Sequence, residues 1–149
     1  MELTPGYILL LYYKLGDEKM DKNRYERGMQ KLSEIDGKGG KDVIESLQNI
    51  TPDLGKYIIE FAFGDIYCRN GLNLQEREMV TITSLLTAGG CERQLEVHIN
   101  GALNVGIPPK KVVETFLQCI PYTGFPKVLN AINVAKKIFA DQGINLEKN

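Results

Sequence analysis

The sequence predicts an all-α fold: a single-domain helical bundle whose subunits associate. Three observations lead there. Apolar residues recur at steps of three and four in almost every segment, the spacing of a buried helical face. No segment shows a convincing run of strand alternation. One helical segment, Leu74–Ala88, is apolar nearly all round from Met79 onward, more than a single buried face requires.

Taken in order, Tyr25, Met29, Leu32 and Ile35 mark a first amphipathic helix over 17–35, and the stretch Gly37–Gly40 is expected to break it. Val43, Ile44 and Leu47 mark a short second helix. Thr51 can cap the next, with Pro52 at its first position. Leu54, Ile58, Phe61, Ala62 and Ile66 are its expected buried face, and Asp65 falls on the same stripe. Asn70–Gly71 reads as a turn, and Asn73 followed three residues later by Glu76 is a capping-box pattern opening Leu74–Ala88. Gly89–Gly90 ends that helix. The next runs from Glu92 to about Val105, with Leu95, Ile99, Ala102 and Leu103 facing the core, Gly106 as its stop and Pro108 beyond. Pro108–Pro109 start another, with Val112, Val113, Phe116, Leu117 and Ile120 inward, closed by Pro121 and Gly124. A last helix, 126–141, is expected to bury Leu129, Ile132, Ala135 and Phe139 and to end at Gly143.

The chain has 149 residues, 43% hydrophobic and 25% charged, enough for one domain with a core of its own. Its organisation reads as an N-terminal extension over 1–16, a domain over 17–142 and a tail over 143–149. A net charge of −1 argues against a nucleic-acid or anionic-membrane surface. The apolar run Tyr7–Leu15 is too short to span a bilayer and lacks the flanks of a signal peptide, so a cytoplasmic location is expected. Cys68, Cys91 and Cys119 are odd in number and widely separated, which is not a disulfide framework.

Chemistry at neutral pH points to His98, the only histidine. It shares one stripe of its helix with Cys91, Leu95 and Ala102. Read from position alone, it is either an acid–base group or a core histidine bonded to a neighbouring carbonyl. Arg77 and Glu78 lie in a first helical turn, where they can serve a site or form ordinary ion pairs; Glu78 is well placed near a helix N-terminus. Asp65 on an apolar stripe suggests a function or a helix-bridging salt link. Tyr122, in a turn, can cap the core or line a site. A lone histidine with scattered carboxylates is a poor metal site.

The stretch from Phe61 to Phe139 carries a set of motifs: FGD at Phe63–Asp65, Gly71–Leu72, Arg77–Glu78, H-x-x-x-A-L-x-x-G from His98 to Gly106, and Y-T-G-x-P from Tyr122 to Pro126. With these, the chain over 21–141 resembles the carboxymuconolactone decarboxylase family, which also contains the alkylhydroperoxidase D-like thiol proteins. The resemblance implies small all-helical subunits of the alkylhydroperoxidase D-like type, assembled as trimers or hexamers, with sites near subunit interfaces. It is specific for fold and open as to reaction.

The peroxidase-like branch carries C-x-x-C-x-x-x-H. That pattern would put its first cysteine at Cys91 and its histidine at His98, but Gln94 stands at the second cysteine position. Cys91 is seven residues from His98, about 10 Å along a helix axis, so a relay between them would need an intermediary. The decarboxylase branch needs no thiol pair. Its chemistry needs a cationic anchor, a donor for developing charge and a proton source for carbon. The resemblance offers Arg77 as anchor, His98 as proton donor, and Glu78, Asp65 and Tyr122 to orient or relay. The favoured expectation is cofactor-free decarboxylation of a small carboxylated lactone, 4-carboxymuconolactone-like, or a related acid. A thiol-dependent peroxidase or disulfide reductase using Cys91, and a noncatalytic binding subunit, are the alternatives.

Overall fold

The computed structural model describes residues 23–146 and contains eight α-helices, one π-helical segment and, among these residues, no strand. The run Tyr7–Leu15, the 1–16 extension, the expected helix start at Asp17 and the last three residues of the tail lie outside the described residues. Helix α1 covers 23–35, α2 Gly37–Leu47 and α3 Pro52–Tyr57; α3 passes directly into the π-helix Ile58–Ile66. Then follow α4 Leu74–Ala88, α5 Glu92–Asn104, α6 Pro109–Gln118, the one-turn α7 Ile120–Thr123 and α8 Phe125–Asp141.

Two apolar clusters form. In the larger, Ile82 and Leu86 of α4, Leu95, Ile99 and Ala102 of α5, Val112 and Phe116 of α6, and Val128, Ala131, Ala135 and Phe139 of α8 interdigitate. The smaller joins Leu32 and Ile35 of α1, Ile44 of α2, and Ile59 and Phe63 of the π-helix. The α4–α5 pair lies between the two.

Helix α4 spans the predicted residues because its start is chemically specified. The Asn73 side chain accepts from the Glu76 backbone N–H at 2.9 Å, and the Glu76 carboxylate accepts from the Asn73 N–H at 2.8 Å. At its other end Gly89 takes φ +74, a region a side chain strains to enter.

Four expectations are corrected. Gly37–Gly40 does not break the helical run for long. The turn is confined to Asp36, Gly37 takes φ +53, and Gly39 and Gly40 lie inside α2. A side chain at Gly40 would collide with the Asp36 and Leu32 side chains, so its helix packs too closely for any larger residue.

The buried face of the π-helix is also displaced. Tyr67 N–H donates to Ala62 O, five residues back, and Ile59 and Phe63 turn inward while Phe61 is 60% exposed. Each wider turn rotates the stripe away from a 3.6-residue count. In α8 the core face is Val128, Ala131, Ala135, Ile138 and Phe139, and Leu129 points outward. Ala135 and Phe139 are buried as expected and Ile132 packs against the cluster, so the stripe is shifted only at its start, where Val128 replaces Leu129. Leu117 of α6 is likewise exposed.

Candidate active site

The chemistry-bearing residues meet at the seam between the two clusters. His98 comes from the middle of α5, with Leu95, Ile99 and Ala102 packed into the larger core on either side. Its Nδ1 lies 3.2 Å from Oε2 of Glu78, in the second turn of α4. A carboxylate can only accept, so Nδ1 carries the hydrogen and Nε2 is left for other work. Glu78 is completely enclosed, whereas the His98 side chain retains 20% exposure. The pair therefore has a buried end and an open end.

Glu78 is held at its other oxygen as well. The Tyr67 hydroxyl donates to Oε1 at 2.8 Å and lies 2.6 Å from the Thr81 hydroxyl, which reaches the Arg77 carbonyl oxygen one turn back on α4. Burial, reinforced by the Glu78 charge, pushes the Tyr67 hydroxyl far above its ordinary value, so it remains a donor.

A third group arrives that sequence reasoning missed. Asp36, at the α1–α2 junction, brings Oδ1 to 3.8 Å from Nδ1 of His98, and that oxygen is buried with no hydrogen-bond partner. Burial pushes the Asp36 carboxyl up to about 6; the facing His98 opposes this and the Glu78 charge adds to it. For His98, burial pulls downward, but the Glu78 hydrogen bond and the charges of Glu78 and Asp36 outweigh it and leave the imidazole above its ordinary value. Gly101 forms the floor: a Cβ there would sit 2.6 Å from Asp36 Oδ1 and 3.2 Å from Glu78 Oε2. The signals available in sequence were an acid following the apolar Leu32 and Ile35 and a glycine on the His98 helix.

The carboxylates are thus not scattered, as the sequence alone suggested. Donor atoms of Asp36, Glu78 and His98 lie within 4.8 Å of one another, a spacing within reach of one cation. The Nδ1–Oε2 contact is already closed as a hydrogen bond, so a cation would have to displace that hydrogen.

The other sequence-derived candidates are distributed differently. Arg77 is buried beside Glu78, donates Nη2–H to the Arg69 carbonyl at 2.6 Å, and leaves Nε unpartnered. Asp65 is taken up by Arg24 through two hydrogen bonds, of 3.1 and 2.6 Å, and by Arg27 at 3.4 Å. Arg24 foremost holds its carboxyl below the ordinary range. Tyr122 is 80% exposed on α7. Neither Asp65 nor Tyr122 contacts the Glu78–His98 pair through a hydrogen bond or ion pair among the described residues. Cys91 sits at the N-terminus of α5, its thiol directed at the Gly89 carbonyl, and lines a small recess with Leu85, Leu95 and Lys127. Cys68 lines a different cavity and Cys119 is buried in the larger core; all three thiols are free.

An open cavity of about 520 Å³ lies between α1 and the 67–74 loop. Arg27, Lys31 and Arg69 lend it positive charge, partly offset by Glu34, and Tyr67 stands on its wall. One hydrogen bond, from Tyr67 to Glu78, separates this cavity from the acid–base pair.

Residues 52–137 match the carboxymuconolactone decarboxylase family. A 4-carboxymuconolactone decarboxylase from Acinetobacter baylyi is 34% identical over 131 residues, covering 86% of this chain and 96% of that protein. A nitrosuccinic acid decarboxylase from Metarhizium robertsii is 25% identical over 128 residues, 84% of this chain and 87% of that protein.

Proposed function

The chain belongs to the carboxymuconolactone decarboxylase family, and from that membership and the buried Glu78–His98 pair we propose that it decarboxylates a small, unsaturated carboxylated lactone, 4-carboxymuconolactone-like, or a related acid, without a cofactor. The observation that carries this reading is the hydrogen bond between Nδ1 of His98 and the enclosed Glu78 carboxylate, which leaves Nε2 at the open end of the pair.

In this reaction the bond from ring carbon to carboxylate breaks and its electron pair enters the conjugated lactone, while CO2 leaves. The charge accumulates over the unsaturated system until a carbon is protonated. His98 supplies that proton from Nε2, and solvent returns it. Glu78 fixes the imidazole ring and stabilises its cation, and Tyr67 fixes Glu78. Arg77 is the cationic anchor carried by the resemblance; its guanidinium braces the Arg69 segment, which lines the cavity together with Arg27, held by Asp65, and Lys31, paired with Glu34. Asp65 acts at one remove, by orienting Arg24 and Arg27.

Association completes the reading. Tyr122, Phe125, Leu129 and Val80 leave apolar surface on the outside of one subunit, which supports self-association, with a trimer or hexamer as the resemblance implies, and would give Tyr122 a site role only across an interface. The decisive experiment is turnover of 4-carboxymuconolactone by chelator-treated protein, with light scattering on the same sample. No turnover of this or related carboxylated lactones, or turnover restored only by added metal, would refute the reading. A monomer at micromolar concentration would refute the assembly.

A further inference from the structure

Asp36 is unusual among the groups the proposed chemistry does not use. It is nearly fully buried, its Oδ1 has no hydrogen-bond partner, and it points at the imidazole rather than away from it. A buried carboxyl left in that state costs free energy unless something nearby compensates. Among the described residues the only cationic group within ion-pair distance of Asp36 or Glu78 is His98. The groups facing the imidazole from the packed elements are Asp36 from the α1–α2 junction, Glu78 from α4 and, behind Glu78, Tyr67 from the end of the π-helix. On α5, the missing side chain of Gly101 lets both carboxyls approach.

We propose that Asp36 is a positioning residue of the site: its carboxyl, held 3.8 Å from Nδ1 across Gly101, works with Glu78 to keep the His98 imidazole protonated, so that Nε2–H is presented to the substrate as an acid. The inference rests on the reading of His98 as proton donor. One carboxylate bonded to Nδ1 orients a ring. A second carboxyl beside the same nitrogen adds little orientation but deepens the potential that holds the proton. As Asp36 ionises, near pH 6, the second negative charge arrives where an unassisted imidazole would begin to lose its proton. The acid form of His98 is thereby extended to higher pH.

Because His98 is the only histidine, its ring signals can be followed by NMR without assignment and without substrate. The experiment is a pH titration of those signals in the intact, assembled protein, comparing wild type with D36N and E78Q. The expected result is a D36N midpoint lower than wild type by about half a pH unit or more, an approximately threefold or larger loss of imidazolium on the alkaline side. A merely structural Asp36 would alter melting temperature and leave the midpoint in place. An unchanged or higher midpoint in folded D36N overturns the proposal. So does broadening of the wild-type ring signals by micromolar Mn2+ that D36N abolishes, which would make the cluster a cation site.

If D36N does not fold, the wild-type ring must itself report a second inflection near pH 6; its absence also overturns the proposal. The alkaline limb of the kcat profile should move with the NMR midpoint. A moved midpoint in a protein with no decarboxylase turnover supports the role of Asp36 and refutes the proposed reaction, so the two failures are distinguishable.

Discussion

The two halves of the molecule hold themselves together by different means. The α4–α8 half has fourteen buried residues in one cluster and regular helices with specified ends; the α1–π-helix half has five among the described residues. The second half relies on close backbone contact and on Arg24 and Arg27 reaching Asp65 and the Gly64 carbonyl. The difference separates two tasks. The larger half supports Glu78 and His98, while the smaller contributes Asp36 from the α1–α2 junction and Tyr67 from the end of the π-helix. The site therefore samples both kinds of order.

The largest expected effect comes from attacking the support. Phe116 is fully buried, and Phe116→Ala should cost about 3–5 kcal/mol and lower protection from hydrogen exchange throughout α4–α8. Phe63→Ala should instead concentrate its loss in α1–α3 and the π-helix, leaving α4–α8 protected. Equal loss everywhere in both variants would mean that the halves are one cooperative unit and the comparison is wrong.

Next in size is the chemistry. His98→Gln should lower turnover by roughly 10²-fold or more, with the fold and assembly preserved. Thermal melting and turnover on the same sample decide it: a destabilised but active variant would make His98 a structural residue. Gly101→Ala tests the seam between the halves. Its new methyl must displace the Asp36 carboxyl and Ile35, a strain of about 1–3 kcal/mol, and turnover should fall more than stability accounts for.

A subtler test uses pH. The folded state binds protons more tightly than the unfolded chain at Asp36 and at His98, since both are raised. Their contribution to stability is thus greatest in acid and declines with rising pH, for Asp36 between 3.8 and about 6 and for His98 above 6.5. Asp65, lowered by Arg24, works in the opposite direction and loses its contribution as the pH falls through and below 3.8. Melting curves should show D36N flattening the decline between pH 4 and 6, and Asp65→Asn flattening only the acid edge. The smallest effect is expected for Cys91→Ser, whose turnover should stay within about twofold of wild type; a large loss would return the chemistry to the thiol.

Legibility in sequence followed the same division. The boundaries of α4 were readable because Asn73, Glu76 and Gly89 act locally, and α5 was readable from Leu95, Ile99 and Ala102. The face of the π-helix was not, because a wider turn leaves no mark in residue spacing until its neighbours are known. Glu78 and His98 could be named, but the hydrogen bond joining them could not. Asp36 escaped because its significance lies in the packing of the α1–α2 junction against Gly101, a contact between residues 65 positions apart. Asp65 is legible as an acid on an apolar stripe, but the two α1 arginines that hold it lie 38 and 41 positions away and leave no local mark.

The meeting of α1 with the π-helix has a mechanical consequence. A Cβ at Gly28 would lie 2.0 Å from the Ile59 carbonyl oxygen, and one at Gly64 would lie 2.8 Å from the Arg24 carbonyl oxygen. At these two points the elements therefore touch main chain to main chain, with no side chain between them. Asp36 stands eight residues beyond Gly28, about 12 Å along the same rod. Its distance from the imidazole is gauged by peptide geometry, so trimming a methyl group from the nearby apolar cluster would soften that half of the molecule without changing the length of the lever that delivers the carboxyl.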